Sequence, residues 1–187
     1  GTSYSNHGIH MIPFYIYYSM FGFQRVWDFI WAAGDMRARG FLLGGTAGRT
    51  TLNGEGLQHQ DGHSHLAAAA TPNIKAYDLA YAYEIATIVH RGMKEMVHDG
   101  KDVIYYLTLE NENYIHPPLP AGVTDDIIRG LYKMHSTEKP IIRLLGSGPL
   151  MGEVLAAAEL LKNDWGIDPG IWNVTSFSEL RRDAEEV

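Results

Sequence analysis

The sequence predicts an α/β protein, in which a parallel sheet with crossover helices is followed by the start of a second α/β domain. Three observations carry this expectation. Strand-like and helix-like stretches alternate from residue 12 to residue 109. Pro117, Pro118 and Pro120, followed by Gly122, then break the rhythm, and a fresh strand–helix–strand pattern resumes at Ile141. Strands that alternate with helices pair in parallel, because each crossover returns the chain to the same end of the sheet.

Ile12 to Tyr18 (IPFYIYY) is rich in aromatic and β-branched residues and reads as a buried strand. Ser19 offers a cap to a helix over Met20 to Arg39, whose apolar residues fall on nearly every face, so that helix is expected to be buried. Gly40 ends it, and Phe41-Leu42-Leu43 forms a short strand. Gly44 to Gly62 is a polar loop holding six glycines, a length that in a compact domain points to function. Leu79, Tyr83, Ala86, Val89, Met93 and Met96 recur at helical spacing over Leu79 to His98, with Asp78 as the expected cap and Gly100 after the end. Val103 to Leu109 is the next strand. Residues 1–115 thus read as one domain, 116–139 as a linker, and 140–187 as the opening of a second domain. That opening consists of a strand over Ile141 to Leu145, a helix over Leu150 to Asn163 behind the Gly146-Ser147-Gly148 turn, and a strand over Ile171 to Val174. No internal repeat is visible.

Composition excludes several classes. The 187 residues are 45% hydrophobic and 20% charged, which is globular rather than disordered. A net charge of -7 argues against nucleic acid or an anionic membrane as main partner. The absence of cysteine removes disulfides and thiolate metal sites, and it fits a reducing, cytoplasmic compartment. The most apolar stretch, Met11 to Ile30, is broken by Pro13, Gln24, Arg25 and Asp28, so no membrane span is expected. No secretory signal is evident. Opening at Gly1 and stopping at Val187 soon after a helix start, the chain is expected to be a piece of a longer protein.

Chemistry-bearing residues concentrate in two places. The loop carries Arg49, Glu55, His59, Asp61, His63 and His65 after a strand, where open α/β sheets bind ligands. Histidines at i, i+4 and i+6 could meet one metal ion only if the loop folded round it, so no metal site is assigned. Neither G-x-x-x-x-G-K-[ST] nor a tight G-x-G-x-x-G is present, which leaves a nucleotide loop unsupported. A loop histidine is ordinarily solvated or hydrogen-bonded, and its functional alternative is proton transfer or oxyanion stabilisation. The second place is the aromatic run of Phe14, Tyr15, Tyr17, Tyr18, Phe21 and Phe23. Most of it reads as core, but at the strand-to-helix junction the rings of Tyr18 and Phe21 can form a stacking platform for a flat heterocycle.

The segments IPFYIYYSMFGFQR, RGFLLGGTAGRTTLNGEGLQHQDGHSH, AYDLAYAYEIA, TLENENY and LLGSG resemble the homodimeric type of pyruvate dehydrogenase, the decarboxylating first component of the bacterial pyruvate dehydrogenase complex. The resemblance runs from about Tyr4 to Asp183 and is closer to this family than to transketolases generally. It implies a transketolase-like enzyme dependent on thiamine diphosphate. On that pattern, residues 1 to about 115 resemble a pyrimidine-binding domain lacking its amino-terminal part, and residues from about 140 resemble the beginning of the carboxyl-terminal domain. The implied activity is oxidative decarboxylation of pyruvate, with transfer of the acetyl group to lipoyl on the dihydrolipoamide acetyltransferase.

By resemblance, Tyr18 and Phe21 match the aromatic wall around the cofactor's aminopyrimidine, and His59 matches the active-site histidine. A donor that titrates near neutral pH suits a reaction that builds negative charge beside a cationic ring. Arg25 and Glu55 match charged positions toward the dimer interface and the path between active sites. Asp61, His63 and His65 are expected to support His59. The activating glutamate of the family precedes the position where this chain begins, and the G-D-G motif that holds Mg²⁺ and the diphosphate is also absent. The piece alone is therefore expected to be inactive. Two other readings stand beside the enzymatic one: a non-catalytic assembly fragment of the same enzyme, and a His-loop metallohydrolase.

Overall fold

The structure, a computed structural model, describes residues 1–47 and 60–186. The first unit opens with α1 (Ser3–His7) and continues through β1 (Phe14–Tyr18), α2 (Ser19–Asp35), β2 (Gly40–Gly45), α3 (Ser64–Ala69), β3 (Ile74–Asp78), α4 (Ala82–Met93) and β4 (Ile104–Thr108). The strands form a four-stranded sheet in the order β1-β2-β4-β3, every pair parallel. The second unit contains α5 (Thr124–Arg129), β5 (Leu131–His135), β6 (Arg143–Gly146), α6 (Met151–Trp165), β7 (Gly170–Val174) and α7 (Phe177–Glu185). Its sheet runs β5-β7-β6, with β6 parallel and β5 antiparallel to β7. The expected α/β class and the parallel first sheet are what the structure shows. Among the described residues, no helix is long and apolar enough to cross a membrane.

β4 lies between two neighbours, and all five of its residues are buried. Its side chains alternate between two cores. Ile104 and Tyr106 pack with Phe23, Ile30, Ala68 and Ala76 from α2, α3 and β3. Tyr105 and Leu107 pack with Phe41, Tyr77, Ile88 and Met96, and this core continues to Ile127 and Tyr132 of the second unit. Fully burying a side chain such as Leu107 stabilises the fold by roughly 2–3 kcal/mol.

Several elements differ from the sequence reading for identifiable reasons. The helix expected over Met20 to Arg39 ends at Asp35, because Arg37 takes a left-handed conformation (φ 54°). The Ala38 N–H then reaches the Ala33 carbonyl at 2.8 Å and the Arg37 N–H reaches Gly34 at 2.9 Å, a Schellman closure. Ser19 is the first residue of α2 and makes no cap bond; Tyr18 holds the cap position. The helix is also not buried all round. Phe23 and Ile30 face the core, while Trp27, Phe29 and Trp31 are exposed.

β1 is likewise not a buried strand. It is the edge of the sheet, and Phe14, Tyr15, Ile16 and Tyr18 are exposed.

Asp78 is not a helix cap but the last residue of β3, a strand the periodicity does not reveal. α4 starts three residues beyond the expected Leu79, where the Glu84 carboxylate accepts the N–H groups of Ala80 (2.7 Å) and Tyr81 (3.0 Å). Residues 116–139, expected as a linker, contain α5 and β5. β5 belongs to the second sheet, because Leu131 to His135 pair with β7.

Buried polar groups tie the layers together. Glu95, fully buried on the π-helical turn that follows α4, accepts from Lys75 (2.9 Å), Arg91 (3.0 Å), Lys101 (3.3 Å) and the Tyr105 hydroxyl (2.8 Å). Burial by itself would raise this carboxyl, but the hydrogen bonds from Lys75, Tyr105 and Arg91 and the Lys75 charge bring it down to about 2. A depressed carboxylate stabilises the fold fully above its ordinary value of 4.5, and that contribution is lost as pH falls toward 2. Glu95→Gln strips Lys75, Arg91 and Lys101, whose side chains are partly exposed, of their shared buried counter-charge. The expected cost is roughly 3 kcal/mol, or about 6–12 °C in thermal midpoint at neutral pH, and the difference from wild type should shrink as pH falls from 4.5 to 2. A pH-independent difference would show that the Glu95 charge contributes nothing.

Candidate functional site

The parallel pairing brings the last residues of the four strands, Tyr18, Gly45, Thr108 and Asp78, to a row along one edge, with β1 and β2 running one residue past the Gly44–Thr108–Asp78 register. Ligand sites of open α/β sheets lie beyond this edge. At one end of the row, where β1 turns into α2, Tyr15, Tyr17, Tyr18, Phe21, Gly22, Arg25 and Val26 line a hollow of about 230 Å³. The Tyr18 and Phe21 rings stand 6.4 Å apart at 81°, so two aromatic surfaces meet the hollow nearly at right angles. The Arg25 guanidinium lies 4.5 Å from the Phe21 centroid, one turn further along α2. The structure thus places Tyr18, Phe21 and Arg25 around one cavity.

Gly22 makes this arrangement possible. A Cβ there would fall inside the Tyr17 ring, which lies across the glycine. Tyr17 in turn stacks on Tyr106, with centroids 6.2 Å apart and planes 9° from parallel. Its hydroxyl is buried and has no hydrogen-bond partner among the described residues. Burial, then the nearby Asp61 charge, holds that hydroxyl well above the usual tyrosine range.

The segment Asp61 to His65 approaches the same edge. Asp61 is buried and organises a tight turn: Oδ1 accepts the N–H groups of His63 (3.2 Å) and Ser64 (3.0 Å), and Oδ2 accepts the Ser64 hydroxyl at 2.5 Å. The Ser64 hydroxyl is itself bonded by Tyr106 at 2.9 Å, which anchors the turn to the central strand. His63 Nε2 meets the Gln24 carboxamide nitrogen at 2.8 Å, beside Arg25 on α2. His65 turns the other way, 3.3 Å from the Thr108 hydroxyl and 3.8 Å from an Asp78 carboxylate oxygen. The two histidines therefore do not converge. Among the described residues, no group of three His, Asp or Glu side chains could hold a metal ion. His59 and Glu55, and the neighbouring Arg49, lie outside the described residues.

Sequence reasoning missed Gln24, Ser64 and Tyr106, the groups that hold His63 and the Asp61 turn. Asp61 three residues before Ser64 is a turn-forming spacing that could have flagged part of this cluster. Nothing local marks Tyr106 or Gln24, whose partners lie 42 and 39 residues away.

At the other end of the row, Asp78 joins the two units. It accepts the Thr108 hydroxyl at 2.6 Å and the Ser147 hydroxyl at 2.9 Å, and its own N–H bonds the Thr175 carbonyl at 2.8 Å. Gly148, at φ 52°, brings its backbone so close that a Cβ would meet both Asp78 oxygens at 2.8 Å.

Comparison with known proteins places this geometry in a family. The model of the pyruvate dehydrogenase E1 component middle domain matches residues 1–117, and that of the transketolase-like TK C-terminal domain matches residues 130–187. The chain is 57% identical over 190 aligned residues to a pyruvate dehydrogenase E1 component of Cupriavidus necator, covering 100% of this chain and 21% of the relative. It is 56% identical to the Pseudomonas aeruginosa protein of that name over 98% of this chain and 54% identical to the Escherichia coli one over 99%, again 21% of each relative. The chain thus spans about a fifth of the length of these relatives. Transketolase from Campylobacter jejuni shares the fold at 18% identity, with a TM-score of 0.79 over 97% of this chain and 27% of that one. Transketolase from Leishmania mexicana does so at 14%, with a TM-score of 0.75 over 92% and 24%. The chain belongs to the family of the pyruvate dehydrogenase E1 component middle domain, continued by a transketolase-like carboxyl-terminal segment.

Proposed function

We propose that this chain is part of an acetyl-transferring pyruvate dehydrogenase. Residues 1–115 would supply its pyrimidine-binding domain, and the second unit, which α5 and β5 open ahead of residue 140, the start of its carboxyl-terminal domain. The observation that carries the reading is the Tyr18–Phe21 hollow at the carboxyl edge of a parallel sheet, in a chain over half identical to proteins named pyruvate dehydrogenase E1 component. The substrate is pyruvate and the acceptor is the lipoyl group of the dihydrolipoamide acetyltransferase. The enzyme works as a homodimer in the cytoplasm.

The hollow fits thiamine diphosphate by its chemistry: two ring surfaces suit a flat aminopyrimidine, and the lining is mostly aromatic and small. Bound there, the cofactor supplies a carbon nucleophile and an electron sink for decarboxylation. Tyr18 and Phe21 fix the plane of the pyrimidine, and the Tyr17 ring lying across Gly22 forms the floor. Arg25 holds the Phe21 ring from the solvent side and carries positive charge to the rim. His59 moves a proton or stabilises developing charge at the reacting carbon. The Asp61 turn, two residues on, holds the end of its loop to Tyr106. Glu55 joins Arg25 in the charge network between active sites. Mg²⁺ and the diphosphate are held by regions outside this chain.

Four substitutions in the full-length enzyme test the assignment. Tyr18→Ala or Phe21→Ala should weaken thiamine diphosphate binding by about 1 kcal/mol, roughly fivefold in Kd by calorimetry; an unaltered Kd defeats the stacking role. His59→Ala should lower kcat roughly 10²-fold with cofactor affinity retained, and an unchanged rate removes His59 from the active site. Gly22→Ala should displace the Tyr17 ring and impair cofactor binding and thermal stability together, whereas wild-type behaviour would mean the hollow is shaped otherwise.

A further inference from the structure

We propose that the hydroxyls of Tyr83 and Tyr132 form a relay that carries a proton between solvent and the buried Glu84 carboxyl, and that this makes the docking of the two α/β units proton-sensitive.

Glu84 sits on the first turn of α4, in the first unit, and is fully buried. Its Oε2 is occupied by the Ala80 and Tyr81 N–H groups. Its Oε1 faces the second unit, where it accepts the Tyr132 hydroxyl of β5 at 2.6 Å and the Asn173 Nδ2 of β7 at 2.6 Å. One carboxyl thus ties a helix of the first unit to two strands of the second sheet. The groups around it are Tyr81 at the cap of α4 and Tyr83 on it, Asp78 at the end of β3, Tyr132 on β5, Asn173 on β7, and Tyr114 and His116, the latter accepting the Ala82 N–H at 3.0 Å. None of these is a lysine or arginine. Burial therefore dominates and raises the carboxyl to about 7, against the pull of the Tyr132, Tyr81 and Ala80 hydrogen bonds and with the help of the Asp78 charge.

The hydroxyl chain gives the proton somewhere to go. Tyr132 touches the Tyr83 hydroxyl, and either can donate. Tyr83 is half-buried and lines an open hollow with Thr87, His90 and Arg91. With Glu84 ionised, Tyr132 donates to the carboxylate. With Glu84 protonated, the new O–H donates to the Tyr132 oxygen, Tyr132 donates to Tyr83, and Tyr83 donates outward. One proton is taken from solvent, a single O–H bond forms, and each hydroxyl keeps a partner while Asn173 keeps its acceptor. The ionised form holds an uncompensated charge in the seam, so docking is fully favoured below the carboxyl's ordinary value of 4.5 and is weakened as pH rises from there through about 7.

Hydrogen exchange of the β5 and β7 backbone amides in the full-length protein, followed between about pH 6 and 8, tests this. In wild type, protection should fall about tenfold beyond the change seen for unstructured peptide. Glu84→Gln, which mimics the protonated carboxyl, should abolish that extra fall. Tyr83→Phe removes the outer acceptor of the protonated pattern and should move the midpoint to lower pH. Infrared difference spectra should show a protonated-carboxyl band that titrates near pH 7 in wild type and is missing in Glu84→Gln, a measurement independent of unit docking. Identical pH dependence in wild type and Glu84→Gln overturns the proposal, as does a carboxyl band titrating near 4.5. A Tyr83→Phe midpoint equal to that of wild type overturns the relay.

Discussion

Parallel pairing of β1, β2, β4 and β3 is the constraint on which the rest of this molecule depends. Parallel strands share a direction, so their carboxyl ends, and every loop that leaves them, must lie along one edge. The Tyr18 hollow, the end of β2 at Gly45, and the Asp78 junction with the second unit are therefore all on that edge. At about 4.8 Å per strand, the three spacings from β1 to β3 separate the hollow from the junction by roughly 14 Å. The second unit can thus dock at one end of the row without covering the other.

The order also sets what each strand must tolerate. β4 lies inside, and its tyrosine hydroxyls would be costly to bury without partners; Tyr105 reaches Glu95 and Tyr106 reaches Ser64. β3 is an edge whose outer carbonyls are covered by the second unit, Ala76 by the Ser176 hydroxyl at 2.6 Å and Ile74 by the Arg182 guanidinium at 2.9 Å. β1 is the other edge, and it leaves a run of aromatic and aliphatic side chains exposed, Ile16 to 68%. Exposed apolar area of that kind marks an interaction surface in soluble proteins.

Two carboxylates in the same fold show how environment decides charge. Glu95 and Glu84 are both fully buried. Glu95 gathers two lysines and an arginine and stays ionised far into acid, whereas Glu84 has only neutral donors and a neighbouring aspartate, and it resists ionisation. The first is a lock within the sheet-and-helix layer of one unit. The second spans two units, where a change of protonation alters what the seam can bond.

Much of this was visible in the residues alone. The alternation of strand and helix patterns, the runs IPFYIYY and VIYYLTL, and the amphipathic spacing from Tyr83 to Met96 come from backbone periodicity, a local property, and the α/β class follows from them. The junction of Tyr18 and Phe21 was also legible, because a strand that turns directly into a helix must project the side chains at its end. Other features were not. IKAYD reads poorly as a strand because its Lys75 is neutralised by Glu95, twenty residues away, and LYKMH reads as linker because its pairing partner β7 lies 35 or more residues on. The exposure of α2 and β1 is equally a matter of position, since an apolar helix and an apolar edge strand look buried in any one-dimensional pattern. The sequence by itself therefore determined the periodic elements and the side chains available at the strand ends. Only the tertiary structure decided strand order, which faces remain open, and which carboxylates acquire cations, because those depend on contacts between residues tens of positions apart.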